Sequence, residues 1–317
     1  MYGVVFIVLG NIGFFIGAGM GVLRLIFFPN KEFLEFIQSL LWYSALPVVL
    51  GSLLILIDLV TNVRNKRKLK KLKNLPLNNN RITVVLTAYN DEDSIAMSIK
   101  DFIERPEVER VVVISNNSSD MTIQYAKEAG AIVHNEMNQG YGACVYRALV
   151  EGSKFEDTEL ICLCEGDQTF RAYDLQKFLA YIQHADIVNG TRIVEQLQES
   201  SNQLSMFMHY GNFAVAKLLE FKYLSDVTLS DVGTTYKLMR KKSLLKIISE
   251  LNPSINLEFN PHLLEVAVKN NLSLLECPIT FHPRVGKSKG GNRSNFAAFS
   301  LGLKMIFGIL FGWKSIK

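Results

Sequence analysis

The chain has 317 residues, 49% of them hydrophobic and 20% charged, with a formal net charge of +4. It is too long for one average domain, and its mean hydropathy of +0.16 is too high for an ordinary soluble protein. The small positive excess argues against a nucleic-acid partner, because such binding rests on a strong basic surface.

The apolar residues concentrate at the two ends, and the central stretch is of soluble-like composition and long enough to bury a full core. Gly3 to Phe28 is apolar apart from Arg24, and at 1.5 Å per residue it exceeds the roughly 30 Å hydrocarbon core of a bilayer. Leu40 to Val60 is a second such run, interrupted only by Asp58 near its end. The two predict a transmembrane helical hairpin over residues 1–63, turning at Pro29-Asn30-Lys31-Glu32. A cleaved signal peptide fits the first run less well, since it lacks a basic leading segment and is too long.

Arg64, Lys66, Arg67, Lys68, Lys70, Lys71 and Lys73 follow at once, in a basic juxtamembrane linker over 64–80. The positive-inside rule places this linker and all that follows in the cytoplasm, with the basic residues against anionic headgroups. Gly13, Gly17 and Gly21 share one helix face, open either to the other hairpin helix or to a second copy in a homo-oligomer. Cys144, Cys162, Cys164 and Cys277 lack the spacing of a zinc site and read as reduced structural thiols.

From Arg81 short β-rich runs alternate with amphipathic stretches. Strands are predicted at Ile82–Leu86, Arg110–Ile114, Ala131–His134, Leu160–Cys164 and Asp186–Val188, with helices at Asp93–Glu104, Met121–Ala129, Tyr141–Glu151 and Asp174–His184. This alternation implies right-handed crossovers and an α/β fold with a mostly parallel sheet. No dinucleotide-binding or P-loop glycine motif is present. Leu160–Cys164 runs directly into Glu165-Gly166-Asp167. Two acids so close repel unless a cation lies between them, and at a strand end they suit a divalent ion held against a diphosphate. In isolation the tripeptide reads first as a solvated acidic turn, since such tripeptides are common. Ser118, Ser119 and Asp120 are good helix caps.

Val84-Val85-Leu86-Thr87-Ala88-Tyr89-Asn90-Asp91, Val111 to Thr122, Asn138-Gln139-Gly140-Tyr141-Gly142-Ala143 and Glu165-Gly166-Asp167-Gln168 stand in one order and spacing. That set resembles family 2 glycosyltransferases, in particular the dolichyl-phosphate mannose synthase and polyprenyl-phosphate glycosyltransferase branch. The resemblance runs from about Arg81 to Lys289.

It implies a GT-A, Rossmann-like catalytic domain over 81–294 that takes a nucleotide-diphospho-sugar donor and a divalent metal, Mg2+ or Mn2+. On it, Ala88, Tyr89 and Asp91 border the nucleotide, Asn116, Gly140 and Gln168 lie on the donor side, and Glu165 and Asp167 serve the metal and diphosphate. Ser115-Asn116 stands where the family commonly has two aspartates, and Glu165 replaces the first acid of the usual pair, so Asp167 is expected to be the more critical ligand.

Arg192, in Asn189-Gly190-Thr191-Arg192, matches a family arginine whose guanidinium can grip a phosphate bidentately. Asp231 is expected near the acceptor, as a base for a hydroxyl or an orienting group for a phosphate. Arg284, Lys287 and Lys289 form a basic loop suited to closing on diphosphate or acceptor phosphate. Arg192, Asp167 and Asp231 are thus the catalytic candidates.

Residues 295–317 are expected to form an amphipathic helix at the membrane interface, with Ser300, Lys304, Gly308 and Gly312 on one face and Trp313, Lys314 and Lys317 at headgroup level. A third span is the alternative. The expected function is a membrane-bound inverting glycosyltransferase acting on a lipid acceptor, most simply polyprenyl phosphate. The rivals are transfer to a hydroxyl of a lipid-linked saccharide or other glycan, and a catalytically silent membrane partner.

Overall fold

A computed structural model describes residues 2–27, 31–66, 74–194, 197, 206–223, 227–286 and 295–313. The chain divides into two compact units, Met1–Lys71 and Leu72–Lys317.

The first unit is a pair of helices, α1 (Tyr2–Phe27) and α2 (Lys31–Lys66). Both are long and apolar enough to cross a membrane, over Tyr2–Ile26 and Lys31–Thr61. The second helix therefore starts nine residues before the expected Leu40, and Lys31 and Glu32 belong to its first turn rather than to a loop. Glu32 there is placed favourably at the positive end of the helix dipole. Glycines bring the two backbones together: a Cβ on Gly3 would lie 2.6 Å from the Gly51 carbonyl oxygen, and one on Gly10 2.6 Å from that of Ser44. Gly13 and Gly17 also face α2, whereas Gly21 meets nothing within 4 Å. Of the basic linker, Arg67, Lys68, Lys70, Lys71 and Lys73 lie outside the described residues.

The second unit is built on a seven-stranded sheet of order β3-β2-β1-β4-β6-β5-β7. Its strands are β1 (Ile82–Ala88), β2 (Val108–Ser115), β3 (Ile132–Asn135), β4 (Leu160–Glu165), β5 (Ile187–Thr191), β6 (Lys237–Arg240) and β7 (Leu274–Pro278). Only β6 runs antiparallel, to both β4 and β5. The helices are α3 (Ile95–Ile103), α4 (Thr122–Glu128), α5 (Tyr141–Ser153), α6 (Leu175–Ile182), α7 (Met206–Tyr223), α8 (Lys241–Ile247), α9 (Phe259–Lys269) and α10 (Asn295–Phe311). This is the expected GT-A-like architecture.

Period-two alternation sorts the buried strand residues onto two faces. Val85, Ile161, Leu163 and Met239 pack with residues of α5, α7 and α9. Val84, Leu86, Cys162 and Cys164 pack with residues of α3 and α6. All four cysteines are buried and unpaired in disulfides. The chain runs outward from β1 to β3 and then returns to β4 on the other side of β1, so the sheet reverses between β1 and β4. The crevice beyond the carboxyl ends of strands at such a reversal is where open α/β sheets bind ligands.

Of the expected small or polar stripe on the last helix, Lys304 and Gly312 are exposed and Ser300 is half-buried. Gly308 is covered by the Trp313 ring, which a Cβ would meet at 2.3 Å. Gly312 lies past the end of α10 at φ +96°, donating its N–H to the Gly308 carbonyl at 2.9 Å, a glycine stop signal. An apolar stripe is exposed as well, Phe299, Leu303, Phe307 and Phe311, recurring every four residues. With 17 residues α10 is about 26 Å long, short of a roughly 30 Å hydrocarbon core. Lys314 and Lys317 lie outside the described residues.

Candidate active site

The loops after β1, β2 and β4 are tied to one another by their polar side chains. Asp91 accepts the Tyr89 N–H at 2.9 Å, while the Asp91 N–H reaches Thr122 Oγ1 at 2.7 Å. Asn90 takes the left-handed conformation at φ +51° and accepts the Ser119 N–H at 2.9 Å. Asp120 accepts the Thr122 N–H at 3.0 Å and the Glu92 N–H at 3.2 Å, so it braces the start of α4 and the β1 loop together. Asn116 accepts the Gly140 N–H at 2.8 Å and donates to the Asn138 carbonyl at 2.9 Å. Its amide thus pins the turn that opens α5.

Gly166 is held by Ser94 and Ser98, whose hydroxyls both donate to its carbonyl at 2.9 Å, and a Cβ there would strike Ile95 at 2.6 Å. The acids on either side of it point to one place. Arg284 Nη2 lies 3.2 Å from Glu165 Oε2 and 2.5 Å from Asp167 Oδ2. The cation that such a pair demands is present as a guanidinium. Backbone bonds hold it there, from the Val285 N–H to the Asp167 carbonyl at 3.1 Å and from the His282 N–H to that of Thr169 at 3.0 Å.

Asp167 Oδ1 accepts the Thr169 N–H at 3.0 Å and its hydroxyl at 2.6 Å. Oδ2 is buried and makes no hydrogen bond, its approach to Arg284 lacking the alignment of one. Burial pushes the Glu165 carboxyl above the ordinary carboxylate range, and the Asp167 charge pushes it further.

These features fit a divalent cation. Two carboxylates converge on a point already occupied by positive charge, and one buried oxygen has only its ion pair with Arg284 and no hydrogen bond. Among the described residues no cluster of three or more His, Cys, Asp or Glu forms a complete cage. A cation of the magnesium type is commonly held by one or two carboxylates and completed by substrate phosphates and water.

Arg192 follows β5. Its Nε and Nη2 donate to Asp231 Oδ2 and Oδ1 at 2.7 and 2.9 Å. Asp231 also accepts the Arg192 and Gly233 N–H groups at 3.1 Å each, and a donor from Asn212. Burial alone would raise the Asp231 carboxyl, but the Arg192 charge and these bonds outweigh it and hold it below the ordinary range.

A cleft of ≈ 760 Å³ joins these groups. Ala88, Tyr89, Asp91, Asn116, Gly140, Glu165, Asp167, Arg192 and Arg284 all line it, so most of the residues expected from sequence come together. Two do not. Gln168 adopts φ +68° and turns its buried side chain to Ser98, at 2.8 Å, and to Arg171, away from the donor side. Asp231 lies behind Arg192 rather than on the cleft wall. Lys287 and Lys289 fall outside the described residues.

Several lining residues went unanticipated: Tyr141, Thr235, Asn212 and Asn260, and an apolar wall from α7 and α10 that includes Met208, Val215, Phe299, Leu303, Met305 and Ile306. The apolar run of α10 was visible in the sequence, but nothing there shows that it faces α7.

The fold has counterparts among solved structures. Glucosyl-3-phosphoglycerate synthase from Mycobacterium tuberculosis, solved with Mn2+, uridine diphosphate and glucosyl-3-phosphoglycerate, superposes with a TM-score of 0.55 at 13% identity, covering 74% of this chain and 81% of that one. The same enzyme has been solved with Mg2+ and uridine diphosphate, again with a TM-score of 0.55.

By sequence, a dolichyl-phosphate hexose transferase of Haloferax volcanii is 28% identical over 209 residues, 66% of this chain and 86% of its own length. A low-salt glycan biosynthesis hexosyltransferase of the same organism is 28% identical over 214 residues, 65% of this chain but only 49% of the longer relative. The model of glycosyl transferase family 2 matches residues 83–248. With more than half of its length in that match, and the strand-end motifs assembled in one cleft, the chain belongs to glycosyltransferase family 2 and is a glycosyltransferase.

Proposed function

We propose that this glycosyltransferase moves a sugar from a nucleotide-diphospho-sugar to a lipid-borne phosphate, most simply a polyprenyl phosphate, at the cytoplasmic face of a membrane. The observation that carries the proposal is the composition of the cleft. Carboxylates and arginines form one part of its wall and the apolar faces of α7 and α10 another, which is what an acceptor with a charged head and a hydrocarbon tail requires. The relative named for dolichyl-phosphate hexose transfer and the two helices long enough to span a bilayer support the same class of acceptor. The basic run beginning at Arg64 supports the cytoplasmic orientation.

In this reading Ala88, Tyr89 and Asp91 border the nucleotide, and Asn116 shapes the donor side through Asn138 and Gly140. Glu165 and Asp167 hold Mg2+ or Mn2+, which when bound offsets charge on the diphosphate by several kcal/mol. Arg284 shifts its charge from the carboxylates toward that diphosphate. Arg192, aligned by Asp231, receives the acceptor phosphate. A phosphate is already ionised near neutral pH, so its oxygen attacks the anomeric carbon without surrendering a proton while the bond from that carbon to the diphosphate oxygen breaks and the nucleoside diphosphate leaves. The fully bonded, acid-shifted Asp231 therefore suits an orienting role and not that of a base.

The test is transfer of labelled sugar from a donor panel to short-chain polyprenyl phosphate by the full chain in detergent or lipid discs. A labelled lipid that mild acid cleaves supports the proposal. Turnover of a donor with no lipid product at any chain length would refute it.

A further inference from the structure

Thr235 donates its hydroxyl to Glu165 Oε1 at 2.6 Å. A hydroxyl carries one hydrogen, so in the close contact between Thr235 and Tyr141 the phenol must be the donor. The phenol has then spent its own hydrogen and accepts from Asn260 Nδ2 at 2.8 Å. The orientation of that amide is set in turn by Lys237, a fully buried ammonium or amine that can donate to Asn260 Oδ1 at 3.3 Å. Asn260 Nδ2 also lies 3.2 Å from the Gly233 carbonyl and 3.3 Å from Thr235 Oγ1, so the amide is clamped from both sides.

Every donor in this chain points the same way, from Lys237 through Asn260, Tyr141 and Thr235 to one oxygen of Glu165. The four side chains come from β6, the first turn of α9, the first residue of α5 and the loop before β6. Burial, with the Glu165 charge next, raises the Tyr141 phenol, so it remains a donor throughout the working range.

We propose that Asn260 and Lys237 are positioning residues for Glu165, acting through Tyr141 and Thr235 to occupy Oε1 and leave Oε2 aimed at the cation position now taken by Arg284. The extra methylene of Glu165, relative to an aspartate, gives its carboxylate a torsional freedom that this chain of donors removes. The proposal rests on the assignment of Glu165 and Asp167 to a divalent cation and diphosphate. Partners of this kind, behind a ligand, typically account for about 10- to 100-fold in metal affinity.

The experiment uses the full chain in lipid discs, with Mn2+ and saturating UDP or GDP as probes. Free Mn2+ is read by electron paramagnetic resonance, and nucleotide affinity is measured separately without metal. Thr235→Val and Tyr141→Phe should weaken Mn2+ by about tenfold while leaving metal-free nucleotide affinity within about twofold, and Thr235→Ser should recover wild-type Mn2+ affinity. Asn260→Leu added to Thr235→Val should cost little more, because both act through one hydroxyl.

Unchanged Mn2+ affinity in folded Thr235→Val, or additive losses in the double variant, would overturn the proposal. If the wild type binds Mn2+ with neither nucleotide, the cation assignment fails, and the donor chain is then judged by thermal midpoints of Thr235→Val, Glu165→Gln and their combination. Non-additive shifts sustain it and additive shifts refute it.

Discussion

Arg192 and Asp231 form a two-pronged ion pair, Nε to Oδ2 at 2.7 Å and Nη2 to Oδ1 at 2.9 Å, with the carboxylate 2% and the guanidinium 13% exposed. A carboxylate so engaged aligns its partner and is poorly placed to take a proton. Asp231→Asn should therefore lower transfer by about 100-fold and lower the melting temperature with it. Asp231→Ala, which strands a largely buried guanidinium, should cost about 3–5 kcal/mol of stability. Activity lost with no change in stability, measured by thermal unfolding beside initial rates, would restore Asp231 as a base.

Asp167 is buried just after β4 and Asp120 is half-buried just before α4, and of the two only Asp167 lines the cleft. Asp167→Asn removes the charge at the buried Oδ2 that pairs with Arg284 and should reduce turnover by about 100-fold or more. Asp120→Asn keeps an acceptor for only one of the Thr122 and Glu92 N–H groups, which reach different oxygens of the aspartate, but it leaves the cleft wall untouched and should cost turnover no more than about threefold. Equal losses in the two, measured as kcat with the same donor, would undo the site assignment.

Lys237 is fully buried, and desolvation brings its ammonium down to about 7. Its folded value lies below its unfolded one, so between about pH 7 and 10 the unfolded chain binds more protons and this lysine makes the protein more stable as pH rises. The slope approaches about 1.4 kcal/mol per pH unit within that window and vanishes well below it. Denaturant titrations of wild type and Lys237→Met across the range should differ by this slope. Parallel curves would show that the lysine is solvated.

The two compact units make a separate prediction. All described cleft residues belong to Leu72–Lys317, so removal of residues 1–71 should leave metal-dependent nucleotide binding within about twofold while strongly reducing transfer to a lipid acceptor held in vesicles. Calorimetry and a vesicle transfer assay on the same preparation measure both. Loss of nucleotide binding would show that the hairpin contributes to the donor site.

Much of this was legible in the sequence, because short continuous apolar runs such as Val84-Val85-Leu86 mark strands buried on both faces, and strand-end motifs fall where parallel sheets gather ligands. The pairing of Glu165 and Asp167 with a cation was also foreseeable from repulsion alone. That Arg284, over a hundred residues away, supplies it depends on the return of the chain beside residues 167–169.

Gln168 went astray because a motif gives no side-chain direction, and its left-handed backbone turns it away from the cleft. Asn260 and Lys237 carried no local signal, since their partners are brought together only by packing of α5, α9 and β6. In α10 periodicity shows that Ser300, Lys304 and Gly308 share a face but not which of them is covered. Trp313 decided that by folding over Gly308.

The most direct measurement presents the full chain with one labelled donor and two acceptors in the same membrane, a polyprenyl phosphate and a lipid-linked saccharide bearing only hydroxyls. The account predicts label in an acid-labile polyprenyl phosphate sugar, abolished by Asp167→Asn, with the saccharide untouched. Label appearing on the saccharide hydroxyl, with polyprenyl phosphate left unmodified, would contradict it.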